Sequence, residues 1–192
     1  MIVTISGKAE AGKDMCAGIM REALVASGRT ALIIHQADYL KYICKTYFGW
    51  DGVKDNKGRT LLQEVGTNLV RAKYPNYWVD ATMRTVLILE HMYEFFLIPD
   101  CRFPNEIDVP RNAGFDVASV LVVRTDHVNS LTEEQREHPS ETALDNYDFD
   151  YRVSSITGRS NLWIPTVEVL SKITGYYWGG YVTKPIETLK GF

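Results

Sequence analysis

The stretch GKAEAGKD, residues 7–14, lies between a short apolar run, Ile2–Ser6, and a run of helix-forming residues. Glycines at positions 7 and 12 let backbone N–H groups turn inward, and a helix start behind them favours anions. Lys13 can bridge outer phosphates, as in the pattern G-x-x-x-x-G-K-[ST]. The stretch therefore predicts a phosphate-binding loop between a strand and a helix, the alternative being a glycine-rich turn that binds nothing. Its predicted phosphate-binding residues are Gly7, Lys8, Ala11, Gly12, Lys13 and Asp14.

Asp14 departs from this pattern, because a Ser or Thr hydroxyl usually ligates Mg²⁺ at that position. A bare carboxylate beside a triphosphate would be repelled, but a cation between them reverses the sign of the interaction. Mg²⁺ prefers oxygen ligands and often keeps waters, so we predict that Asp14 holds it directly or through water. The alternative is that Asp14 only complements the helix dipole.

Apolar runs recur along the chain and predict a parallel sheet. They are dense in Val, Ile, Leu and Phe rather than alternating, as expected of strands that are covered on both faces. Helical patterns between them, among them the stripe of Cys16, Ile19 and Ala23 that Gly28 is placed to end, predict a doubly wound α/β fold. The predicted strands are residues 2–6, 31–35, 94–98, 117–123 and 152–156, and further helical patterns cover 61–70, 79–89 and 163–173.

Two stretches interrupt the strand–helix alternation. Residues 38–93 hold two or three helices and no predicted strand, and residues 125–147 are polar and charged. Both are long for plain connections, so we expect insertions over one edge of the sheet, where lids usually lie. The second has too little apolar content for firm anchoring and is expected to open at small cost. The whole chain, residues 1–192, is expected to form one domain.

Charged residues follow several predicted strands. Asp38 follows the second strand, Asp100 and Arg102 follow the third, and Arg124 follows the fourth. In open α/β sheets, ligands bind beyond the carboxyl ends of the strands. Carboxylates and guanidinium groups suit metal and phosphate chemistry. We therefore predict that these residues share one site with the loop at residues 7–14.

Composition argues against several classes of protein. Hydrophobic residues make up 45% of the 192 positions, which is enough to build a core, and the net charge of −3 argues against a nucleic-acid binder. The three cysteines are scattered and odd in number, which favours reduced thiols in the cytoplasm. No signal-peptide pattern is visible, and charges interrupt the most apolar stretch, residues 86–99, so we expect no membrane span.

Further motifs accompany the loop: GRTLLQ at residues 58–63, DCRFPNE at 100–106 and HPSE at 138–141. Together with GKAEAGKD, they resemble the deoxynucleoside monophosphate kinases of tailed phages, which belong to the adenylate-kinase-like P-loop group. The resemblance extends from about residue 1 to about residue 173. It implies phosphoryl transfer from ATP to a deoxynucleoside monophosphate, on a five-stranded parallel sheet with a mobile nucleotide-binding insertion (38–93) and a lid (125–147). An aspartate at the position of Asp14 is usual in that family.

The resemblance also implies roles for single residues. Lys13 resembles the lysine at the transferring phosphoryl group, and Asp38, in QADYLK, resembles the aspartate of F-A-D-x-L-K. Apart from the resemblance, Arg136 is the arginine within the predicted lid, residues 125–147, and is expected to close over the phosphates together with Arg124. From the residues and the resemblance together, the predicted catalytic residues are Lys13, Arg102 and Arg136, the predicted substrate-binding residues are Asp38, Arg59, Gln63, Asp100 and Arg102, and the predicted metal ligands are Asp14 and Asp100.

The chain departs from the family pattern in several places. Cys101 replaces a more usual branched residue, Gln36 alters the motif around Asp38, and SSITG at residues 154–158 replaces I-x-N-x-G. The tail, residues 175–192, has no counterpart. Its aromatic side chains either stack on bases or pack the tail onto the body or a second subunit.

Several of these residues have structural alternatives. Arg102 and Glu106 are four positions apart and can form a surface pair on one helical turn, and Arg136 can pair with Glu133 in the same way. Asp38 can simply cap the helix that follows it. Arg59 can be solvated.

The expected function is ATP-dependent phosphoryl transfer to a (deoxy)nucleoside monophosphate, with Mg²⁺ as the cofactor. The expected location is the cytoplasm, which is the host's if a phage encodes the chain. A homodimer is possible, and we expect no nucleic-acid or membrane partner. The alternatives are a P-loop kinase of another small acceptor, such as phosphomevalonate or dephospho-coenzyme A, and a nucleotide-binding module without turnover. A GTPase is disfavoured, because the chain has no N-K-x-D motif.

Overall fold

The computed structural model describes residues 1–126 and 130–176. Residues 127–129 of the predicted lid lie outside the described residues, and so does the predicted tail from position 177 onward. Among the helices of the described ranges, none combines the length and the apolar character that crossing a membrane requires. The three cysteines are buried thiols without a disulfide.

A five-stranded sheet forms the centre of the structure, and its strand order is β2-β3-β1-β4-β5. All four pairings between neighbouring strands are parallel, which confirms the predicted fold class. Since β1 lies between β3 and β4, the loop that follows it meets the ends of both neighbours. The strands are β1 (Ile2–Ser6), β2 (Ala31–Ile33), β3 (Phe95–Cys101), β4 (Val117–Arg124) and β5 (Tyr151–Ser155).

Helices cover both faces of this sheet. The first helix ends as predicted, because Gly28 has a φ of 80° and its N–H bonds to the carbonyl of Val25 at 3.0 Å. The helices are α1 (Lys13–Ala26), α2 (Ala37–Tyr47), α3 (Asn56–Gln63), α4 (Tyr77–Leu89), α5 (Asn105–Asn112), α6 (Glu133–Glu137), α7 (Pro139–Thr142) and α8 (Arg159–Thr174), and α3 continues as a π-helical segment, Glu64–Arg71.

Two apolar layers hold the helices to the sheet. Val3 and Ile5 of β1 belong to the layer in which α1 and α8 pack, and Ile2 belongs to the layer on the α4 side. Successive side chains of a strand point to opposite faces, so a strand buried on both faces must be apolar on both. This is why β1 is a continuous apolar run in the sequence and is buried along its whole length.

The third strand is longer than predicted and carries a bulge. Thr4 of β1 pairs with Ile98, but Ser6 pairs with Cys101, so β3 has one extra residue between these pairs. Pro99 lies within this interval and has no N–H to donate, which is why a bulge suits it. As a consequence, Asp100 lies inside β3 rather than beyond it.

The chain between β2 and β3, residues 34–94, is called the β2–β3 segment below. It forms α2, α3, the π-helical segment and α4, and it has a small core of its own in which Leu40, Val65 and Trp78 are buried. The indole N–H of Trp78 donates to the carbonyl of Gly66 at 2.9 Å, which anchors α4 to the π-helical segment. The segment is therefore an organised helical unit beside the sheet.

The chain between β4 and β5, residues 125–150, is called the β4–β5 segment below, and α6 and α7 lie within it. Thr132 and Gln135 form a capping box at the start of α6, and Leu131 and Gln135 are buried. The end of the segment is tied to α5, since Tyr147 donates to Asp108 at 2.6 Å. These contacts attach a polar segment to the body of the protein without a large apolar core.

One glycine of the β2–β3 segment gives a test of this packing. A Cβ on Gly58 would lie 2.1 Å from the carbonyl oxygen of Val53, which is backbone and cannot move aside easily. We predict that Gly58→Ala lowers the free energy of unfolding by about 1–3 kcal/mol, as overpacking usually does.

The matched control is Gly18→Ala in α1, where an added Cβ would meet nothing within 4 Å. This change should raise the free energy of unfolding by about 0.5–1 kcal/mol, because glycine is a poor helix former. Urea denaturation of both variants measures the difference. A Gly58→Ala variant as stable as Gly18→Ala would show that the Val53 carbonyl does not constrain this position.

Candidate active site

The loop between β1 and α1 has the backbone that a phosphate-binding loop needs. Gly7 has a φ of 147° and Gly12 a φ of 96°, both in the region that favours glycine. A Cβ on Gly7 would lie 2.4 Å from the carbonyl oxygen of Val122 in β4. Ala9 and Ala11 are buried, so the small residues of the loop face inward. The predicted glycine positions therefore follow from both the turn and the close approach to β4.

Lys13 begins α1 and folds back over the loop. Its Nζ donates to the carbonyls of Gly7 and Lys8, both at 2.8 Å, and the residue is only 8% exposed. Burial, followed by the charge of Arg102, lowers the pKa of Lys13 from its ordinary value to about 7, although the charge of Glu141 acts in the opposite direction. The ammonium group is thus hydrogen-bonded to two backbone carbonyls of the loop, and it loses its proton near physiological pH.

Asp14 pairs with a histidine that the sequence analysis did not select. His35 Nε2 lies 2.7 Å from Asp14 Oδ1, and His35 Nδ1 lies 3.7 Å from Asp38 Oδ2. The hydrogen bond between His35 and Asp14 lowers the pKa of Asp14 and raises the pKa of His35. His35 therefore links the start of α1 to Asp38 at the start of α2. Asp38 also pairs with Lys41 at 2.7 Å.

Asp100 holds the beginning of α2. Its two carboxylate oxygens accept the backbone N–H groups of Gln36 and Ala37, each at 2.9 Å. This is the capping role that the sequence analysis considered for Asp38, and Asp38 itself lies inside the first turn. Asp100 thus joins β3 to α2, and both of its oxygens have structural partners.

Arg102 and Glu106 do not form the surface pair that their spacing allows. Glu106 is buried and accepts the backbone N–H groups of Arg102 at 2.6 Å and Phe103 at 3.1 Å. Its other oxygen pairs with Arg71 of the π-helical segment, whose guanidinium carbon lies 3.9 Å from the centre of the Phe103 ring. Burial raises the pKa of Glu106, and the charge of Arg71 opposes this shift. Glu106 therefore ties the β2–β3 segment to the chain after β3.

Glu10, in the middle of the loop, connects the loop to both flanking segments. It has a φ of 64°, which is unusual for a residue other than glycine. Its carboxylate accepts from Arg59 at 3.3 Å and from the hydroxyl of Ser130 at 2.6 Å. Arg59 is therefore paired rather than only solvated. Gln63, one turn along α3, donates to the hydroxyl of Ser140 at 3.4 Å.

A second carboxylate reaches the loop from α7. Glu141 Oε2 accepts the backbone N–H of Ala9 at 3.0 Å, and Oε1 accepts from Arg102 Nη1 at 2.5 Å. Lys8 completes the contact, because its Nζ donates to the carbonyl of Glu141 at 2.6 Å and pairs with Asp145. The resemblance drew attention to HPSE at residues 138–141, but no pattern in the sequence indicates that Glu141 contacts a residue 132 positions away.

Two cavities flank the loop. The β2-side cavity, of about 430 Å³, is lined by Lys13, Asp14, Arg59, Gln63 and Asp100, together with aromatic and apolar side chains such as Trp78 and Phe103. The β4-side cavity, of about 530 Å³, is lined by Gly7, Lys8, Ala11, Arg124 and Arg136. Both are lined by Ala9, Arg102, Ser140 and Glu141. Of the predicted site residues, Gly12 and Asp38 line neither cavity.

The donor set around the loop does not form a metal site made of protein alone. Within residues 1–126 and 130–176, no group of three or more His, Cys, Asp or Glu side chains is arranged to hold a metal ion. Asp14 has an exposed carboxylate at the end of the loop, whereas Asp100 uses both oxygens on backbone N–H groups. The arrangement fits a cation held partly by a ligand and by Asp14. Each oxygen of Asp100, the other predicted metal ligand, accepts one backbone N–H group.

No protein-family model and no curated protein sequence matches the chain. Among solved structures, the chain is similar to an APS kinase of Mycobacterium tuberculosis, in complex with AMPPNP and APS, at 11% identity and a TM-score of 0.49, covering 91% of this chain and 97% of the kinase. It is also similar to a gluconokinase from Sinorhizobium meliloti at 12% identity and a TM-score of 0.48, covering 90% and 93%. Such similarity carries no inference about the activity of this chain.

The lowered pKa of Lys13 gives a prediction for ligand binding. At pH 8, above a pKa of about 7, most Lys13 side chains are neutral. A bound phosphate favours the ammonium form of Lys13, so binding at pH 8 should be accompanied by uptake of a proton by Lys13. At pH 6, Lys13 is already mostly protonated, and binding should cause little such uptake. Calorimetry of a non-hydrolysable ATP analogue, in two buffers that differ in ionisation enthalpy, measures this uptake.

The matched variant is Lys13→Arg, whose guanidinium stays protonated throughout this pH range. Proton uptake at pH 8 should disappear in this variant, which also subtracts any proton that the analogue itself exchanges. Equal uptake by both proteins would show that Lys13 is already charged before the ligand binds.

Proposed function

We propose that the chain transfers a phosphoryl group from ATP to a (deoxy)nucleoside monophosphate. One observation carries this proposal: the loop at residues 7–14 lies between two cavities, and cationic side chains line each of them. A nucleotide binder without turnover needs one such cavity, whereas a transfer reaction needs a place for each substrate. The reaction forms a bond between an acceptor phosphate oxygen and the γ-phosphorus and breaks the bond to the oxygen that leaves with ADP.

The donor is assigned to the β4-side cavity. Arg124 and Arg136 line it together with the first half of the loop, and guanidinium groups bind phosphate with two parallel hydrogen bonds. Lys13 would exchange the carbonyls of Gly7 and Lys8 for the phosphate oxygens and neutralise the charge that develops during transfer. In this proposal, the β4–β5 segment is the lid that excludes water.

The acceptor is assigned to the β2-side cavity and is proposed to carry its own phosphate. A hydroxyl acceptor calls for a base, whereas Asp100 in this cavity already accepts two backbone N–H groups. A phosphate acceptor needs cations instead, and Arg59 and Arg102 supply them. Trp78 and Phe103 in the same cavity offer apolar faces that suit a base.

Asp14 is the residue that would hold Mg²⁺ in this site. Its carboxylate is exposed at the end of the loop, and His35 orients one of its oxygens. Mg²⁺ usually takes one or two carboxylates and completes its octahedron with phosphates and waters, which suits a single aspartate. When bound, the ion would neutralise charge on the phosphates.

The decisive test is a panel of acceptors with ATP as donor, measured by ADP release. We expect turnover with one or more ribo- or deoxynucleoside monophosphates, and none with the corresponding nucleosides, because these lack the phosphate that Arg59 and Arg102 would bind. Phosphomevalonate and dephospho-coenzyme A belong to the same panel. Turnover with either of these alone would favour the alternative acceptors, and ATP binding without turnover would favour a non-catalytic module.

The proposed role of Asp14 gives a further prediction. Asp14→Asn removes the charge of the side chain but keeps its shape. We expect the factor by which Mg²⁺ increases the affinity for ADP to be about tenfold smaller in this variant than in the wild type, which is typical of mutations at metal sites. Equilibrium dialysis at several Mg²⁺ concentrations measures the effect without turnover. The control is Asp80→Asn, which removes one charge from the exposed side of α4. Equal Mg²⁺ dependence in both variants would leave Asp14 with only its hydrogen bond to His35.

A further inference from the structure

The carboxylate of Glu141 occupies the phosphate-binding loop as an anion would. One oxygen accepts the N–H of Ala9 at 3.0 Å, and the other accepts from the guanidinium of Arg102 at 2.5 Å. The side chain of Glu141 is only 7% exposed, so this is a built-in contact and not a surface pair. Carboxylate and phosphoryl oxygens are both acceptors for N–H and guanidinium donors, and each makes charge-assisted hydrogen bonds with them.

The position of Glu141 matters because it lies at the border between the two cavities. Ala9, Arg102, Ser140 and Glu141 line both of them. Under the proposed function, Ala9 belongs to the donor-binding loop and Arg102 binds the acceptor. A group that crosses from donor to acceptor must pass between these two residues. The Glu141 carboxylate lies between them and is bonded to each.

We propose that the Glu141 carboxylate occupies the place of the transferred phosphoryl group and leaves it when the substrates bind. This inference rests on the proposed function and adds a regulatory contact to the same site. Two anions a few ångströms apart repel each other, so the carboxylate and a γ-phosphate cannot share these donors. The donor nucleotide therefore competes with a side chain of the protein.

The contact has a physical reason in the unliganded protein. A buried backbone N–H without a partner costs free energy, and so does a desolvated guanidinium. Glu141 satisfies both Ala9 and Arg102, much as the carbonyls of Gly7 and Lys8 satisfy Lys13. The β4–β5 segment can therefore lie on the loop without a ligand. Its backbone stays attached through Lys8, which bonds to the carbonyl of Glu141, so only the side chain needs to turn away.

A different role predicts the opposite result. If Glu141 stayed in place with substrates bound, it would orient Arg102 and would not compete with phosphate. Removing its charge would then leave binding of the ATP analogue unchanged or weaken it. The sign of the change in affinity separates a competitor from a positioning residue.

The experiment compares the dissociation constant of a non-hydrolysable ATP analogue for wild type and variants by calorimetry. Glu141→Gln keeps the shape, but its amide nitrogen would face the guanidinium of Arg102 or the N–H of Ala9. We expect it to bind the analogue about tenfold more tightly, which corresponds to about 1.4 kcal/mol. Glu141→Asp keeps the charge but is one methylene shorter. It should also bind more tightly, and it carries the test if Glu141→Gln does not fold.

The control is Glu137→Gln at the end of α6, which removes a charge of the same sign from the same segment, at an exposed residue that lines neither cavity. It should change the affinity by much less than Glu141→Gln, so an equal gain would show a long-range charge effect and overturn the proposal. Unchanged or weaker binding by both Glu141 variants would also overturn it. Lys13→Ala tests the proposed function separately: if this variant binds the analogue as well as wild type, the loop is not the donor site.

Discussion

The close approach of Gly7 to β4 is the constraint on which the site depends. A Cβ at this position would lie 2.4 Å from the carbonyl oxygen of Val122, so only glycine lets the chain turn out of the sheet there. Because β1 lies between β3 and β4, this turn places the loop where strand order changes direction, with a crevice on either side. The two cavities follow from this topology, and their charged linings come from what the neighbouring strands deliver.

The sequence predicted the strands well because of their burial. A strand that is covered on both faces has no polar face, so its apolar run is dense and easily recognised. The predicted boundaries were wrong where a proline lies inside a strand or a helix, because contacts elsewhere in the fold stabilise the element in spite of the proline. Pro99 argues against a strand, but a one-residue bulge accommodates it and β3 continues to Cys101. Helix α5 was not predicted, because it contains Pro110 and proline argues against a helix in the sequence.

The site was predictable only in part, because strand ends can be located from the sequence and side-chain partners cannot. The location of Arg102 at the end of β3 could be predicted, because it depends only on where the strand lies in the sequence. Its partner Glu141 is 39 residues away, and the partner of Glu106 is Arg71, in a helix that packs against the chain after β3. Spacing rules favoured the nearer pair of Arg102 and Glu106, since they describe isolated helices. In the folded chain, Arg102 pairs with Glu141 and Glu106 pairs with Arg71, and both carboxylates are buried.

These pairs also explain how an acidic chain can hold a cation-rich site. Arg102, Arg59 and Arg71 each bond to a carboxylate that the fold supplies, so no guanidinium among them is left desolvated and unpaired. The pairs differ in what a ligand could do to them. Glu106, the carboxylate on Arg71, accepts two backbone N–H groups of the chain just after β3, whereas the carboxylates on Arg59 and Arg102 come from the loop and from α7. Phosphate binding here would be an exchange of one anion for another, and its affinity would be set by the difference between the two.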